Sequence, residues 1–278
     1  MTAAEEGGRP MRLTMLGTGN ANVLDYYNTC FVLSEKQMGA HFLIDGGGGN
    51  RILKVLKDAG IRLEDIHDLF VTHEHIDHIL GVIWLIRMIG QKMNKGQYKG
   101  QLRIYCHKEL EEKLRAIAEM TIQKKVCRNF GEKILFEVVE SGETRQILGC
   151  PVTFFDIASI KAKQFGFTMR LPDGRKLTCT GDEPYREEER QYVEGSDWLL
   201  HEAFCLYQEA ELFKPYEKHH STVKEACELA ETFGIPNLLL YHTEETHGGE
   251  RKRLYQAEGE KYYHGRLYVP DDLEELEL

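Results

Sequence analysis

Residues 72–81 read Thr72-His73-Glu74-His75-Ile76-Asp77-His78-Ile79-Leu80-Gly81. Imidazole and carboxylate together suit Zn²⁺, Mn²⁺ or Fe²⁺ better than Ca²⁺ or Mg²⁺. The pattern is H-x-H-x-D-H. It differs from the helical H-E-x-x-H of zinc peptidases, in which two histidines lie one turn apart. His73 and His75 are two residues apart, so an extended segment points both the same way. Asp77 and His78 follow as the chain turns towards a helix. One pair can then serve one metal, and the other pair a second metal close by. A water held between two cations is acidified towards neutrality, which is the chemistry of a hydrolase.

Two metals need further ligands. Thr180-Gly181-Asp182 ends one apolar run and Leu238-Leu239-Leu240-Tyr241-His242 ends another. A turn aspartate or an exposed histidine is common by itself. Beside the cluster, and at strand ends where loops converge, Asp182 is expected to bridge the metals and His242 to complete the set.

The elements that must position these groups alternate along the whole chain. Strands are predicted at Met11–Leu16, Phe31–Leu33, His41–Ile44, His67–Thr72, Leu102–Cys106, Ile134–Val139, Gln146–Ile157, Phe165–Leu171, Lys176–Thr180, Trp198–Ala203, Leu238–Tyr241, Leu267–Val269 and Leu273–Leu278. Helical spacing marks Asn50–Ala59, Ile79–Met93, Lys108–Met120, Thr222–Phe233 and Gly249–His264. No linker, low-complexity tract or solenoid-period repeat interrupts them. The reading is one domain, 1–278, built of two similar β-rich halves with helices outside.

Composition narrows the partners. The formal charge of −10 opposes a nucleic-acid backbone unless a local basic groove offsets it. Seven cysteines without a C-x-x-C pair read as reduced thiols of a cytoplasmic protein. No apolar run is long enough to cross a bilayer, and the first residues carry no secretory pattern. The glycines Gly46–Gly49 permit a tight backbone near the site, but P-loop and dinucleotide fingerprints are absent.

The motifs resemble those of the metallo-β-lactamase superfamily, across nearly the full chain. His73, His75, Asp77 and His78 match its H-x-H-x-D-H motif, Asp182 its bridging aspartate and His242 its last histidine. His201-Glu202-Ala203-Phe204 is similar to the H-E-A-T stretch of the ribonuclease Z-like branch, and His220-Ser221-Thr222 to its H-S-T stretch. The resemblance implies an α+β four-layer αβ/βα sandwich. It also implies two divalent transition metals, zinc before manganese or iron, and a possible homodimer. Asp77 would be a ligand that also orients or deprotonates the attacking water. Glu202 and His220 would pair to protonate the leaving oxygen, against the plainer roles of satisfying a buried backbone group and capping a helix.

Two departures qualify the match. The family's third metal motif begins with a histidine, and here Ala158-Ser159 occupies that place within 155–167, leaving the first metal His73, His75 and the shared Asp182 only. That site is expected to bind its ion more weakly. Bacterial ribonuclease Z also carries a tRNA-clamping arm before the bridging aspartate, whereas residues 168–181 leave room only for a hairpin. The expected substrate is therefore a small phosphodiester or a short nucleic acid, not a long tRNA. The alternatives are hydrolysis of an ester, thioester or lactam by the same centre, or a degraded site that only binds.

Overall fold

Apolar runs too short for helices, bounded by glycine and polar turns, make strands that bury both faces. In the computed structural model, which describes residues 11–35 and 39–278, they form two seven-stranded sheets. The first runs in the order β14 (Glu275–Glu277), β1 (Met11–Gly17), β2 (Cys30–Glu35), β3 (Ala40–Ile44), β4 (Ile66–Phe70), β5 (Leu102–Cys106), β6 (Ile134–Val138). The second runs β13 (Arg266–Tyr268), β12 (Asn237–Tyr241), β11 (Trp198–Glu202), β10 (Lys176–Cys179), β9 (Phe165–Arg170), β8 (Cys150–Asp156), β7 (Thr144–Ile147). In each sheet four consecutive strands are parallel, β3 to β6 and β10 to β13.

The helices are α1 (Arg51–Asp58), α2 (Ile76–Asn94), α3 (Lys108–Thr121), α4 (Lys124–Cys127), α5 (Arg190–Val193), α6 (Ala210–Phe213), α7 (Val223–Thr232) and α8 (Arg251–Gly259). Three apolar clusters define four layers. One packs α1 to α4 against the first sheet through Val55, Leu85 and Leu114. The second fills the space between the sheets with Phe31, Phe42, Phe154 and Phe167. The third packs α7 and α8 against the second sheet through Ala226 and Tyr255. This is the αβ/βα sandwich expected. The pairing of β14 with β1, Leu276 opposite Leu13, returns the end of the chain to the first sheet.

Several boundaries differ from the sequence reading, among them the helix expected over Gly249–His264, which ends at Gly259, and two of the differences shape the site. The strand expected over Gln146–Ile157 is a hairpin, β7 to β8, turning at Leu148 and Gly149 with φ of 54° and 74°. An apolar leucine in a left-handed turn position gives no sequence signal. The strand expected to reach Thr72 stops at Phe70. Helix α2 begins at Ile76 rather than Ile79, because the N–H groups of His78 and Ile79 already donate to the His75 carbonyl at 3.0 and 3.1 Å. Asp77 therefore stands in the first helical turn, where the exposed N–H groups favour a carboxylate.

The glycine run fixes that turn in place. Gly46 N–H donates to the His78 carbonyl at 2.9 Å and Gly81 N–H to the Gly47 carbonyl at 2.8 Å. A Cβ on Gly81 would lie 1.7 Å from the Gly46 oxygen, so neither segment tolerates a side chain at this crossing. No helix among the described residues is long and apolar enough to cross a membrane.

Candidate metal centre

The two parallel blocks bring the ends of β4, β10, β11 and β12 to one rim. His73 and His75 lie in the extended stretch after β4, and Asp77 and His78 open α2. Asp182 follows β10, and His242 follows β12. All six converge. His73, His75 and Asp182 offer one donor atom each within 4.8 Å of one another, and so do Asp77, His78 and His242. The carboxylate of Asp182 joins the two groups: its Oδ2 lies 3.5 Å from His73 Nε2, 3.6 Å from His78 Nε2 and 3.5 Å from His242 Nε2. Asp77 Oδ2 is 3.4 Å from His78 Nε2 and 3.6 Å from His242 Nε2.

Five of the six are nearly sealed from solvent, with His73 at 0% and Asp182 at 3% exposure, while His75 is partly exposed. Burial alone would raise the pKa of Asp182, but the surrounding His73, His78 and His242 outweigh it and hold the carboxyl well below its ordinary value. Burial likewise opposes ionisation of Asp77, and His78 and His242 again win. For His73 burial dominates and lowers the imidazole pKa, leaving a neutral ring suited to ligation.

The donor set fits the divalent metals that the motifs imply. His78 Nε2, His242 Nε2 and Asp182 Oδ1 are buried without any hydrogen-bond partner among the described residues. Such orphaned atoms are costly unless they meet a ligand. Two imidazoles and a carboxylate in each group suit zinc, manganese or iron.

Behind the donors stands Asp45, at the end of β3, which the sequence reading passed over. Its carboxylate accepts three bonds: from Thr72 N at 2.8 Å, Thr72 Oγ1 at 2.8 Å and His78 Nδ1 at 2.7 Å. A carboxylate only accepts, so His78 must carry a proton on Nδ1; burial lowers its pKa, but Asp77 and Asp45 outweigh that and raise it, so a bound metal would take the place of a second proton on Nε2. Thr72 spends its hydroxyl proton on Asp45 and accepts from His73 Nδ1, 3.0 Å away, which leaves His73 Nε2 as an acceptor on the metal side, 2.9 Å from His75 Nδ1. One buried acid thus sets the tautomer of an imidazole in each group. Its only signal in the sequence is an aspartate ending a strand before a glycine run.

Glu202 ends β11 fully buried, and His220 lies beside it. The segment after β11 pairs with the one carrying His220: Phe204 N–H donates to the Ser221 carbonyl at 2.9 Å and Val223 N–H to the Cys205 carbonyl at 3.0 Å. Glu202 Oε1 accepts from Ser221 N–H, and its Oε2 faces His220 Nδ1 at 3.6 Å. Burial lowers the His220 pKa, but the Glu202 charge more than compensates and raises it above the ordinary histidine value. The ring stacks on Phe204 at 5.0 Å and 8°, with His242 5.0 Å away on a tilted plane. His201 does not join them. It bonds the Glu202 carbonyl through Nδ1 at 2.7 Å and lines a separate cavity of about 340 Å³ with Tyr185 and Phe233.

The third-motif region contributes no ligand. Ala158 sits in the left-handed region at φ 57°, its N–H held by Asp156 Oδ1 at 2.8 Å. The neighbouring Ser159 donates to Glu183 Oε1 at 2.6 Å. The first group therefore comprises His73, His75 and Asp182. Residues 165–179 form the plain hairpin β9 to β10.

Comparison with known proteins agrees with this geometry. The ribonuclease Z of Pyrobaculum islandicum is 25% identical over 96% of this chain and 98% of its own length. The metallo-β-lactamase-fold protein YhfI from Bacillus subtilis superposes with a TM-score of 0.76 at 17% identity, covering 97% of this chain and all of that one. The short form of human tRNase Z superposes with a TM-score of 0.72 at 20% identity, covering 95% and 98%. A family model described as anti-Pycsar protein Apyc1 matches residues 11–259. The chain is a ribonuclease Z-like member of the metallo-β-lactamase superfamily and, within it, belongs to the anti-Pycsar protein Apyc1 family.

Proposed function

We propose that this metal-dependent hydrolase cleaves a small phosphodiester. Its metal ligands are His73, His75, Asp77, His78, Asp182 and His242, and its proton donor is the His220–Glu202 pair. When bound, two divalent cations supply Lewis-acid polarisation of a phosphoryl oxygen and acidify a water. The chain does the rest. Asp77 orients that water and accepts its proton. Asp45, directly at His78 and through Thr72 at His73, holds a proton on each Nδ1 and so turns each Nε2 towards the metals. Glu202, whose Oε2 faces His220 Nδ1 at 3.6 Å, favours the charged imidazolium, leaving Nε2 to deliver a proton to the departing oxygen.

The observation that carries this reading is the buried Glu202 carboxylate 3.6 Å from His220 Nδ1, with the His220 ring against His242. An alkoxide leaving group needs a proton; a thiolate, with a thiol pKa near 8.5, departs without one. A maintained acid beside the metal ligands therefore favours phosphodiester over thioester cleavage. The short β9–β10 hairpin and the charge of −10 favour a small substrate over a long RNA.

The test is a panel run on protein loaded with Zn²⁺ or Mn²⁺: bis(p-nitrophenyl) phosphate, an acyl thioester and a β-lactam. Phosphodiester turnover well above the other two is expected. Preferential thioester or lactam turnover would replace the reading with acyl hydrolysis. No turnover by fully loaded protein would leave a binding protein.

A further inference from the structure

The chain beyond His242 folds back over the segment beyond β11. Glu244 N–H donates to the Phe204 carbonyl at 2.8 Å, which draws the Glu244 side chain under the surface to 4% exposure. Its Oε2 accepts from the N–H and hydroxyl of Thr246. Its Oε1 is buried and has no hydrogen-bond partner among the described residues. His247 Nε2 stands 3.9 Å from that oxygen. The same nitrogen lies 3.0 and 2.9 Å from the two oxygens of Glu209.

We propose that Glu209, Glu244 and His247 form a third divalent-cation site, of Zn²⁺ or Mn²⁺ type, that is structural rather than catalytic. One donor atom from each residue lies within 4.8 Å of the others. Ligands held about 2.0–2.2 Å from one ion stand about 3–4 Å apart, close to the separations of 2.9 and 3.9 Å around His247. Two carboxylates and one imidazole are the donor chemistry these ions take.

Charge balance points the same way. Even a protonated His247 leaves two carboxylates sharing one positive charge, whereas a divalent ion beside a neutral ring cancels both. Other cations nearby are engaged elsewhere. The Arg251 fork bonds Thr18, Thr243, the Pro270 carbonyl and Asp271. Lys224 lies over the Tyr207 ring at 4.2 Å and Lys218 over Phe204 at 4.9 Å. Glu258 brings a further negative charge, accepting the N–H groups of Tyr207 and Gln208 just before Glu209. Glu244 also lines a cavity of about 230 Å³ with Asn20, Asn22 and Phe204. An ion here would clamp the loop after His242 to the segment carrying Phe204, the ring on which His220 stacks.

The test is a metal count. Wild type, Glu209→Gln and His247→Asn are equilibrated with Zn²⁺, dialysed free of excess and measured by elemental analysis per chain. Hydrolysis of bis(p-nitrophenyl) phosphate and thermal melting are followed in parallel. Both substituted residues are about three-quarters buried at the surface rim, and two independent variants guard against one failing to fold. About one ion fewer per chain is expected in each folded variant than in wild type, with hydrolysis within about twofold. Equal counts in all three proteins would overturn the site. So would a lower count accompanied by a matching loss of hydrolysis, because the missing ion would then be catalytic. The count is decided whatever substrate the main centre takes.

Discussion

Replacing Asp45 by Asn tests whether one buried carboxylate sets the metal affinity of both groups. The substitution keeps size and shape. It also keeps the backbone, because Asp45 has φ 58° and asparagine tolerates the left-handed region as well as aspartate does. The chemistry changes. If the amide oxygen stays with Thr72 N–H, the amide NH₂ faces Thr72 Oγ1 and His78 Nδ1. His78 Nδ1 must then accept, which moves its proton to Nε2 and removes the lone pair a metal needs. The Thr72 hydroxyl is released to donate to His73 Nδ1, with the same result at His73. Restoring either tautomer leaves two donors facing each other. Loss of one charge-assisted hydrogen bond costs about 1.5–3 kcal/mol. Outer-shell losses of this kind weaken metal binding about 10- to 100-fold, equivalent to about 1.4–2.7 kcal/mol. The assay is titration of metal-free protein with Zn²⁺ against a chromophoric chelator, with melting of the metal-free forms measured separately. Affinities equal to wild type in a folded Asp45→Asn protein would refute the tautomer argument.

Four further outcomes follow from the same geometry. His220→Gln should slow cleavage of an alkyl phosphodiester by about 10²- to 10⁴-fold but cleavage of a nitrophenyl ester far less, since nitrophenolate leaves unprotonated; equal losses on the two substrates would remove His220 as the acid. Ala158→His, at a left-handed position that histidine tolerates better than most residues, should raise retained metal per chain; unchanged retention would mean that the missing ligand belongs elsewhere. Gly81→Ala must push a methyl into the Gly46 carbonyl, costing about 1–3 kcal/mol of overpacking and lowering the melting temperature by about 2–4 °C per kcal/mol; an unchanged melting curve would contradict the close crossing. Burial lowers the folded pKa of His41, whose Nδ1 lies 2.8 Å from Ser34 Oγ. The unfolded chain therefore binds the extra proton first as pH falls through about 6.5, and stability drops there. His41→Asn should flatten that acid limb in urea midpoints, and an identical slope would exclude the assignment.

What was legible in the sequence is what local pattern encodes. Strand ends at Asp182 and His242 could be read because apolar runs stop at them, and the H-x-H-x-D-H stretch could be read because its donors are consecutive. Most of what escaped depends on pairs distant in sequence. Asp45 acts on Thr72 and His78 across the β3–β4 pairing, and nothing at position 45 announces a partner some thirty residues on. The start of α2 at Ile76 escaped because the three residues Ile76, Asp77 and His78 carry no apolar periodicity; the helix is held there by the Gly46–Gly81 crossing, a tertiary constraint that overrides local preference. The β7–β8 turn escaped because Leu148 occupies a position where glycine or asparagine would have signalled it. The first two misses share one cause. Each lies where backbone from one segment fits against another, and at the centre that fit does chemical work: the crossing places the first turn of α2 so that Asp77 and His78 face Asp182, while Asp45 reaches under the same turn to hold the far side of the ring. Ligand identity is therefore written in the motif, but ligand protonation is written in the packing of the loop after β3 against the helix that carries the motif's end.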